Sequence, residues 1–211
     1  MVVDMFYQQN MDNALRFGDV LKGYILAASN IEEPNLSKSY KIDINLPPYC
    51  VVLSPCCSIG EKIISLSPLI DLRGSFFDNP YLEEDITRIN REMEPQQSVS
   101  PKIWEKFPPE EKQKRLDVGY AYAFVELFVY EKNDLFSRYT IHRRNGNIET
   151  NYYMIDFRNS YKLSCEKIKT PEDAPLESKY LQLSIQARSD LRAKIADYYL
   201  RVPKEDMILE D

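Results

Sequence analysis

The pattern of apolar and polar positions divides the chain into a β-rich beginning, a polar middle and a β-rich second half. In the beginning, strand-like patterns cover Phe17 to Ala28, Tyr49 to Ser54 and Ile63 to Leu66. The intervening segment from Pro55 to Lys62 is bracketed by a proline and a glycine, which favour a connection. The last two strands are therefore expected to form a hairpin or meander.

The middle of the chain, residues 76–117, is richer in charged residues and proline. Glu83 to Glu94 is spaced like a short polar helix, and Ser100-Pro101 and Pro108 to Glu111 resemble helix starts with proline in the first turn. We expect residues 76–117 to form a helical insertion in a β-barrel or sheet. The first part of the barrel would then be residues 1–75, and the second part, with a final helix, residues 118–211.

In the second half, Tyr120 to Glu131 is apolar on both faces, which predicts a central strand. Asn145-Gly146 is the favoured two-residue type I′ turn and predicts a hairpin between residues 137–144 and 147–157. With these two residues as the loop, His142 lies opposite Glu149. One face of the hairpin is then polar (Thr140, His142, Arg144, Asn147, Glu149 and Asn151) and the other largely apolar (Tyr139, Ile141, Ile148 and Tyr152).

The remaining pattern predicts a short strand at Tyr161 to Ile168 and a helix at Leu183 to Arg201. Ser184 can cap this helix, and apolar residues recur at three- and four-residue spacing from Ala187 to Tyr198, as in an amphipathic helix packed on a sheet. The predicted fold class is mainly β with helices (α+β): a small β-barrel with a helical insertion and a C-terminal amphipathic helix.

Composition narrows the classes of function. The formal net charge of -6 weighs against a broad electrostatic grip on duplex DNA. Neither common glycine-rich phosphate-binding loop occurs in the sequence. Residues 1–10 lack the features of a secretory signal, and no apolar run approaches the length of a membrane span. We expect a cytoplasmic protein without a membrane partner.

The sole histidine marks the first candidate site, because its ordinary pKa lies near neutrality. His142, Glu149 and Arg144 could act together in acid/base catalysis and phosphate binding. The alternative is an ordinary solvated hairpin face, which commonly carries such mixtures. Cations and aromatic rings nearby could also hold single-stranded RNA by phosphate contacts and stacking. The candidate RNA-binding residues are Arg138, Arg143, Tyr153 and Arg158.

The four cysteines, Cys50, Cys56, Cys57 and Cys165, are expected to be reduced thiols. Their spacing does not match a zinc knuckle, so buried packing thiols are favoured over zinc ligands or a reactive thiol at the turn. No serine lies in a G-x-S-x-G motif, which disfavours a serine hydrolase. We expect neither a metal nor another cofactor.

Several short motifs together resemble the MazF/PemK-like small barrels. These are Gly18-Asp19-Val20, the strand Cys50 to Ser54, the strand Ile63 to Leu66, the strand Tyr152 to Asp156, and the final helix. The resemblance covers about half of the chain in two separated pieces. It implies an SH3-like barrel, which often dimerises. The turn from Ser54 to Cys57 is similar to one in larger phage-defence relatives of these barrels.

Characterised members of this family cut single-stranded RNA without a metal, through the ribose 2′-hydroxyl. By position, the resemblance implies that Ser65 or Ser67 contacts that hydroxyl. The arginine that leads the second strand in the family has no counterpart here, since Pro47, Pro48 and Tyr49 precede Cys50. Two functions follow as expectations. The first is an RNA-cleaving toxin or defence effector using His142, Glu149, Arg144 and Ser65. The second is a non-catalytic module that binds a cognate antitoxin or another defence-system protein.

Overall fold

The structure is a computed structural model that describes residues 5–31, 40–59, 63–79, 82, 85–91, 98–99, 101–118, 121–122, 124–143, 146–164, 169–173 and 176–200. Its strands are β1 (Val20–Leu21), β2 (Leu26–Ile31), β3 (Tyr40–Asn45), β4 (Cys50–Val52), β5 (Ile63–Pro68), β6 (Ile70–Asp71), β7 (Ser98–Val99), β8 (Ala121–Tyr122), β9 (Leu127–Tyr130), β10 (Tyr139–Arg143), β11 (Gly146–Thr150), β12 (Tyr153–Asp156), β13 (Tyr161–Ser164) and β14 (Lys179–Leu181). Its helices are α1 (Cys56–Ile59), α2 (Pro101–Lys106), α3 (Pro109–Asp117) and α4 (Ile185–Tyr199). The predicted α+β class is confirmed.

Two compact units make up the chain. The first contains Met1–Ile70 and Arg158–Arg188, and the second contains Asp71–Phe157 and Ser189–Asp211. The predicted insertion, residues 76–117, falls within the second unit, which also contains β9 to β12. In the described part of the chain, no helix is both long and apolar enough to cross a bilayer.

The first unit is built on a five-stranded sheet with the order β13-β5-β4-β1-β14. The predicted hairpin between the second and third strands is confirmed, since β4 and β5 are antiparallel with Cys50 opposite Pro68. Apolar side chains of the sheet and its flanking segments form one buried cluster that includes Leu15, Leu21, Cys50, Ile59 and Leu66. The described strands do not close into a barrel.

The prediction of one strand from Phe17 to Ala28 was wrong. The backbone φ is +85° at Gly18 and +80° at Gly23, in the left-handed region that favours glycine. Gly18 bends the chain just before β1, and Gly23 bends it between β1 and β2. β2 pairs with β3 in a separate two-stranded sheet, with Leu26 opposite Asn45 and Ile31 opposite Tyr40.

The second unit contains a three-stranded sheet with the order β6-β12-β9. The predicted central strand from Tyr120 to Glu131 is divided into β8 and β9, and β9 lies at an edge of its sheet. The side-chain amide of Asn90 covers this edge, because its Nδ2 donates to the Val129 carbonyl at 2.7 Å and its Oδ1 accepts from the Val129 N–H at 2.6 Å. Asn90 thus substitutes for a neighbouring strand.

The predicted polar helix from Glu83 to Glu94 is, in its described part, a 3₁₀ helix at Ile86–Asn90 that Asp85 caps. The two helix starts in the same region are confirmed as α2 and α3. The final helix is confirmed as well: α4 begins after Ser184, whose hydroxyl accepts from the Ala187 N–H at 3.2 Å.

Candidate functional site

The hairpin of β10 and β11 carries most of the predicted catalytic residues, and its register differs from the predicted one. His142 lies opposite Asn147, and Glu149 lies opposite Thr140. The pairing is displaced by two residues, because Gly146 belongs to β11 and lies opposite Arg143. A two-residue displacement preserves the faces, since side chains alternate with a period of two. The predicted faces are therefore confirmed for the described strand residues, with Thr140, His142, Asn147 and Glu149 on the exposed face. Asn151 lies beyond β11 and is buried, and the predicted pairing of His142 with Glu149 was wrong.

On the exposed face, His142 and Glu149 each contact a residue outside the predicted catalytic set. The Nδ1 atom of His142 lies 3.0 Å from Asn147 Oδ1, so the ring forms a hydrogen bond with the amide. Glu149 Oε2 lies 3.5 Å from Arg138 Nη1, and both side chains are about two-thirds exposed. Arg144 lies outside the described residues. The described part of the site offers a solvated imidazole and one exposed ion pair, which is the arrangement of an ordinary hairpin face.

Two of the predicted RNA-binding residues face the interior of the second unit. Arg143 forms an ion pair with Asp78 at 2.7 Å and also donates to the Phe77 carbonyl at 3.0 Å. Tyr153 is 3% exposed, and its hydroxyl donates to the Ser137 carbonyl at 3.0 Å. In this structure the Tyr153 ring is not accessible for stacking on a nucleobase. Arg158 is exposed and belongs to the first unit.

Ser65 belongs to β5 in the first unit, whereas the β10–β11 hairpin belongs to the second. Its backbone N–H donates to Ser54 Oγ at 2.7 Å, and its carbonyl accepts from the Leu53 N–H at 2.8 Å. These contacts hold β5 against the end of β4. Ser67 is fully buried, and its hydroxyl has no hydrogen-bond partner among the described residues.

The first unit contains a buried ion pair that the sequence did not predict. Lys179 Nζ lies 2.9 Å from Asp19 Oδ2, and both side chains are almost completely buried. Lys179 also donates to the carbonyls of Ala14 at 2.8 Å and Asp12 at 3.2 Å. Three acceptors match the three protons of an ammonium group. The three contacts occupy the Lys179 amino group, so we assign this side chain a structural role.

The contacts of Asp19 at the start of β1 explain the Gly18-Asp19 motif structurally. Gly18 turns the chain, and the Arg16 N–H donates to Asp19 Oδ2 at 2.8 Å. The Val52 N–H donates to the Asp19 carbonyl at 3.0 Å, which aligns β1 with β4. Burial raises the pKa of the Asp19 carboxyl, and the contact with Lys179 only partly offsets this effect. The Gly18-Asp19 motif thus builds the turn into the sheet.

Asp12 borders this ion pair, and its pKa is shifted in the opposite direction from that of Asp19. Its Oδ2 accepts from Gln182 Nε2 at 3.1 Å and from Arg16 Nε at 3.0 Å. These hydrogen bonds, that from Gln182 first, lower the pKa of the Asp12 carboxyl. The two carboxyl groups therefore respond differently to acid.

The two-stranded sheet of β2 and β3 displays an apolar face to solvent. Ile42 and Ile44 of β3 are 61% and 68% exposed, and the flanking Ile25 and Leu46 are 60% and 69% exposed. Ile44 lies opposite Ala27, and continuing this register places Ile25 opposite Leu46. All five side chains consequently lie on one face. We call this face, formed by Ile25, Ala27, Ile42, Ile44 and Leu46, the apolar ribbon face.

The sequence analysis missed the apolar ribbon face, although a signal was present. Residues 41–46 alternate strictly between polar and aliphatic (Lys, Ile, Asp, Ile, Asn and Leu), which is the period of a β-strand. Such alternation normally marks an apolar face that packs on a core. Only the structure shows that this face is exposed.

The described cysteine side chain gives no reactive centre. Cys50 is fully buried, and burial raises the pKa of its thiol to about 12. The side chains of Cys56 and Cys57, and all of Cys165, lie outside the described part of the structure. Within that part, no group of three or more histidine, cysteine or acidic side chains is placed to hold a metal ion.

No protein-family model, curated protein or solved structure significantly matches this chain.

Proposed function

We propose that this chain is a non-catalytic module that binds another protein through the apolar ribbon face. One observation carries the proposal: four large aliphatic side chains, each at least 60% exposed, lie together on one face of the β2–β3 sheet. Single exposed aliphatic residues are common on soluble proteins, but a contiguous group marks an interaction surface. In terms of the family resemblance, the partner would be an antitoxin or another defence-system protein.

The size of the face sets the strength of binding that it can supply. Full burial of an exposed isoleucine or leucine contributes about 1.5–3 kcal/mol, so four partly exposed side chains supply roughly 4–8 kcal/mol. The loss of translational and rotational freedom on association opposes this gain by a comparable amount. The partner must therefore add polar or backbone contacts, or the complex is transient.

The contacts of the exposed β10–β11 hairpin also favour a binding function over a catalytic one. A general base must lie within hydrogen-bond reach of the group that it serves. His142 contacts Asn147, and Glu149 pairs with Arg138, so the described residues do not assemble the predicted acid/base pair.

The test is site-specific photo-crosslinking from the ribbon. A photoreactive amino acid at position 44 reports on the apolar ribbon face, and the same group at position 45 reports on the opposite face of β3, where Asn45 is also exposed. We expect a discrete adduct with one other protein from position 44 only. The purified partner should then bind wild type at least about tenfold more tightly than the Leu46→Ser variant. Adducts with that other protein from both positions, or equal affinity of the partner for wild type and the Leu46→Ser variant, would overturn the proposal.

Cleavage of single-stranded RNA, as in MazF/PemK-like barrels, is the second candidate function. The observation in its favour is that His142, Thr140, Arg138 and Glu149 share one exposed face. Incubation of the protein with labelled RNA in excess EDTA tests it. Products with 2′,3′-cyclic phosphate ends that disappear in His142→Ala, but not in Lys162→Ala on β13, would establish this activity. RNA that stays intact with folded wild-type protein removes it.

A further inference from the structure

We infer that a second copy of this chain pairs with the outer edge of β3, extending the β2–β3 sheet into a four-stranded sheet. The inference concerns the edge of the sheet and not the apolar ribbon face. It goes beyond the proposed function and does not require that function to be correct.

The first observation is that the outer edge of β3 does not pair with any described strand. Among the described strands, β3 pairs only with β2, over six residues from Tyr40 to Asn45. A strand at an edge presents a row of backbone N–H and C=O groups that another strand can pair with. Natural proteins often protect such edges with proline, a bulge or charged side chains, especially lysine. β3 contains no proline and follows a regular register, and its two charged residues, Lys41 and Asp43, have opposite signs.

The second observation is that the charge pattern of β3 is complementary to itself. In an antiparallel pair centred on Ile42, Lys41 of one copy lies opposite Asp43 of the other, and Ile42 lies opposite Ile42. The two-fold symmetry of the dimer makes the Lys41–Asp43 pair occur twice. Opposite charges across neighbouring strands are favourable, and like charges directly opposite are unfavourable.

The neighbouring registers are worse for identifiable reasons. A pair centred on Lys41 places two lysines opposite each other, and a pair centred on Asp43 places two aspartates opposite each other. A displacement by one residue places aliphatic side chains opposite charged ones. Charge and face alternation therefore select the pair centred on Ile42, which a strand of unrelated sequence would match only by coincidence.

The pairing also explains why the charges lie on the face opposite the aliphatic residues. The resulting sheet has the order β2-β3-β3-β2 across the two copies. Ile42 of each copy lies beside its counterpart, and the two apolar ribbon faces become one continuous surface. The edge then holds two copies together, and the face is left to another protein.

Charge reversal tests the inference through four forms of the 211-residue chain. Lys41→Glu makes both positions of β3 acidic, and Asp43→Lys makes both basic. Lys41 and Asp43 are exposed, so neither change disturbs the core. We expect wild type to sediment as a dimer of twice the 24.8 kDa chain mass. Each single variant should dimerise at least about tenfold more weakly.

Mixing the two single variants supplies the decisive control. An acidic β3 matches a basic β3 at both positions, so the mixture should form heterodimers although neither variant dimerises well alone. The double variant, Lys41→Glu with Asp43→Lys, should dimerise like wild type. A monomeric wild type, dimers insensitive to the single changes, or a mixture that stays monomeric would each overturn the inference.

The Leu46→Ser variant separates this inference from the proposed function. Leu46 lies outside the six paired residues of β3 but on the apolar ribbon face. If both proposals hold, this variant stays dimeric and binds the partner weakly. Weak partner binding by a dimeric Leu46→Ser variant assigns partner binding to the apolar ribbon face. Weak dimerisation of the charge variants with partner binding retained assigns dimerisation to the edge of β3.

Discussion

At the scale of single residues, the buried ion pair of Asp19 and Lys179 is the feature whose stability depends most on exact pairing. Lysine and aspartate are rarely fully buried unless they are paired. In this chain both side chains are almost inaccessible, and Asp19 Oδ1 has no hydrogen-bond partner among the described residues. The cost of burying these charges is repaid only while each group keeps its partner.

Removal of the lysine charge should therefore destabilise the first unit. Lys179→Met keeps most of the aliphatic stem but leaves the Asp19 carboxylate buried without its counter-ion. We expect the free energy of unfolding, measured by urea denaturation, to fall by about 3–5 kcal/mol. Lys162→Met on β13 is the matched control, because Lys162 is exposed, and should change the value by no more than about 0.5 kcal/mol. Equal effects of the two changes would contradict this account of the ion pair.

The two carboxyl groups of this region predict opposite pH dependences. The pKa of Asp19 is raised on folding, so its contribution to stability is greatest below the ordinary value of 3.8 and is lost as the pH rises through the folded pKa. The pKa of Asp12 is lowered, so its contribution is present above 3.8 and is lost as the pH falls through the folded pKa.

Urea denaturation at a series of pH values on both sides of 3.8 measures the contributions of Asp19 and Asp12 to the free energy of unfolding. The stability of wild type relative to Asp19→Asn should decrease as the pH rises from 3.8. The stability of wild type relative to Asp12→Asn should increase as the pH rises toward 3.8 from below and should then level off. Parallel curves for the two comparisons would show that burial and hydrogen bonding do not separate these residues as the structure indicates.

Single residues also show where sequence reasoning stops. The two exceptions to the predicted segregation of the hairpin were Arg143 and Thr150, and the structure places both on the inner face. Arg143 reaches Asp78 and the Phe77 carbonyl, and Thr150 is buried, with its hydroxyl accepting from the Tyr152 N–H. Their partners are distant in the chain or depend on the local fold, so the sequence pattern alone could not identify them.

At the scale of elements, strands with a clear turn or cap could be predicted, and strands whose ends depend on tertiary contacts could not. The β4–β5 pair, the β10–β11 hairpin and the start of α4 follow from local turn and capping residues. The predicted hairpin register was wrong because two registers that differ by two residues keep the same alternation of faces, so the sequence pattern does not distinguish them. The edge position of β9 depends on Asn90, which lies 39 positions away from Val129.

The Asn90 contact gives a prediction for β9. Asn90→Ala removes the donor to the Val129 carbonyl and the acceptor for its N–H, and Val129 is fully buried. Each unsatisfied buried group costs about 1–3 kcal/mol, so we expect a loss of about 2–5 kcal/mol in the free energy of unfolding. Hydrogen exchange at the Val129 amide should accelerate. Asn147→Ala, on the exposed hairpin face, is the control and should have little effect on either measurement.

At the scale of the whole molecule, the chain builds each unit from two separated segments. The sequence pattern changes near residue 75, close to the point where the chain enters the second unit at Asp71. The return at Arg158 has no such signal, because the strands on both sides of it have similar compositions. The chain crosses between the two units three times, after Ile70, Phe157 and Arg188, and the change in sequence pattern lies near the first of these crossings.

The first unit has the properties of an independent domain. All five strands of its sheet, its apolar cluster and both members of the Asp19–Lys179 pair come from Met1–Ile70 and Arg158–Arg188. A segment that has its own core can in principle fold alone. We expect a chain in which a flexible linker replaces residues 71–157 to retain this unit, seen as dispersed amide signals in NMR spectra and one cooperative urea transition.

A chain ending at Phe157 is the informative comparison. It keeps the first segment of the unit but lacks β13 and β14, which are the two edges of the five-stranded sheet, and it lacks Lys179. The Asp19 carboxylate would then be buried without a counter-ion, so β1 should not form and the signals of the first unit should be absent. An unfolded linker variant, or a folded first unit in the shortened chain, would show that this unit is not assembled from the two segments that the contacts define.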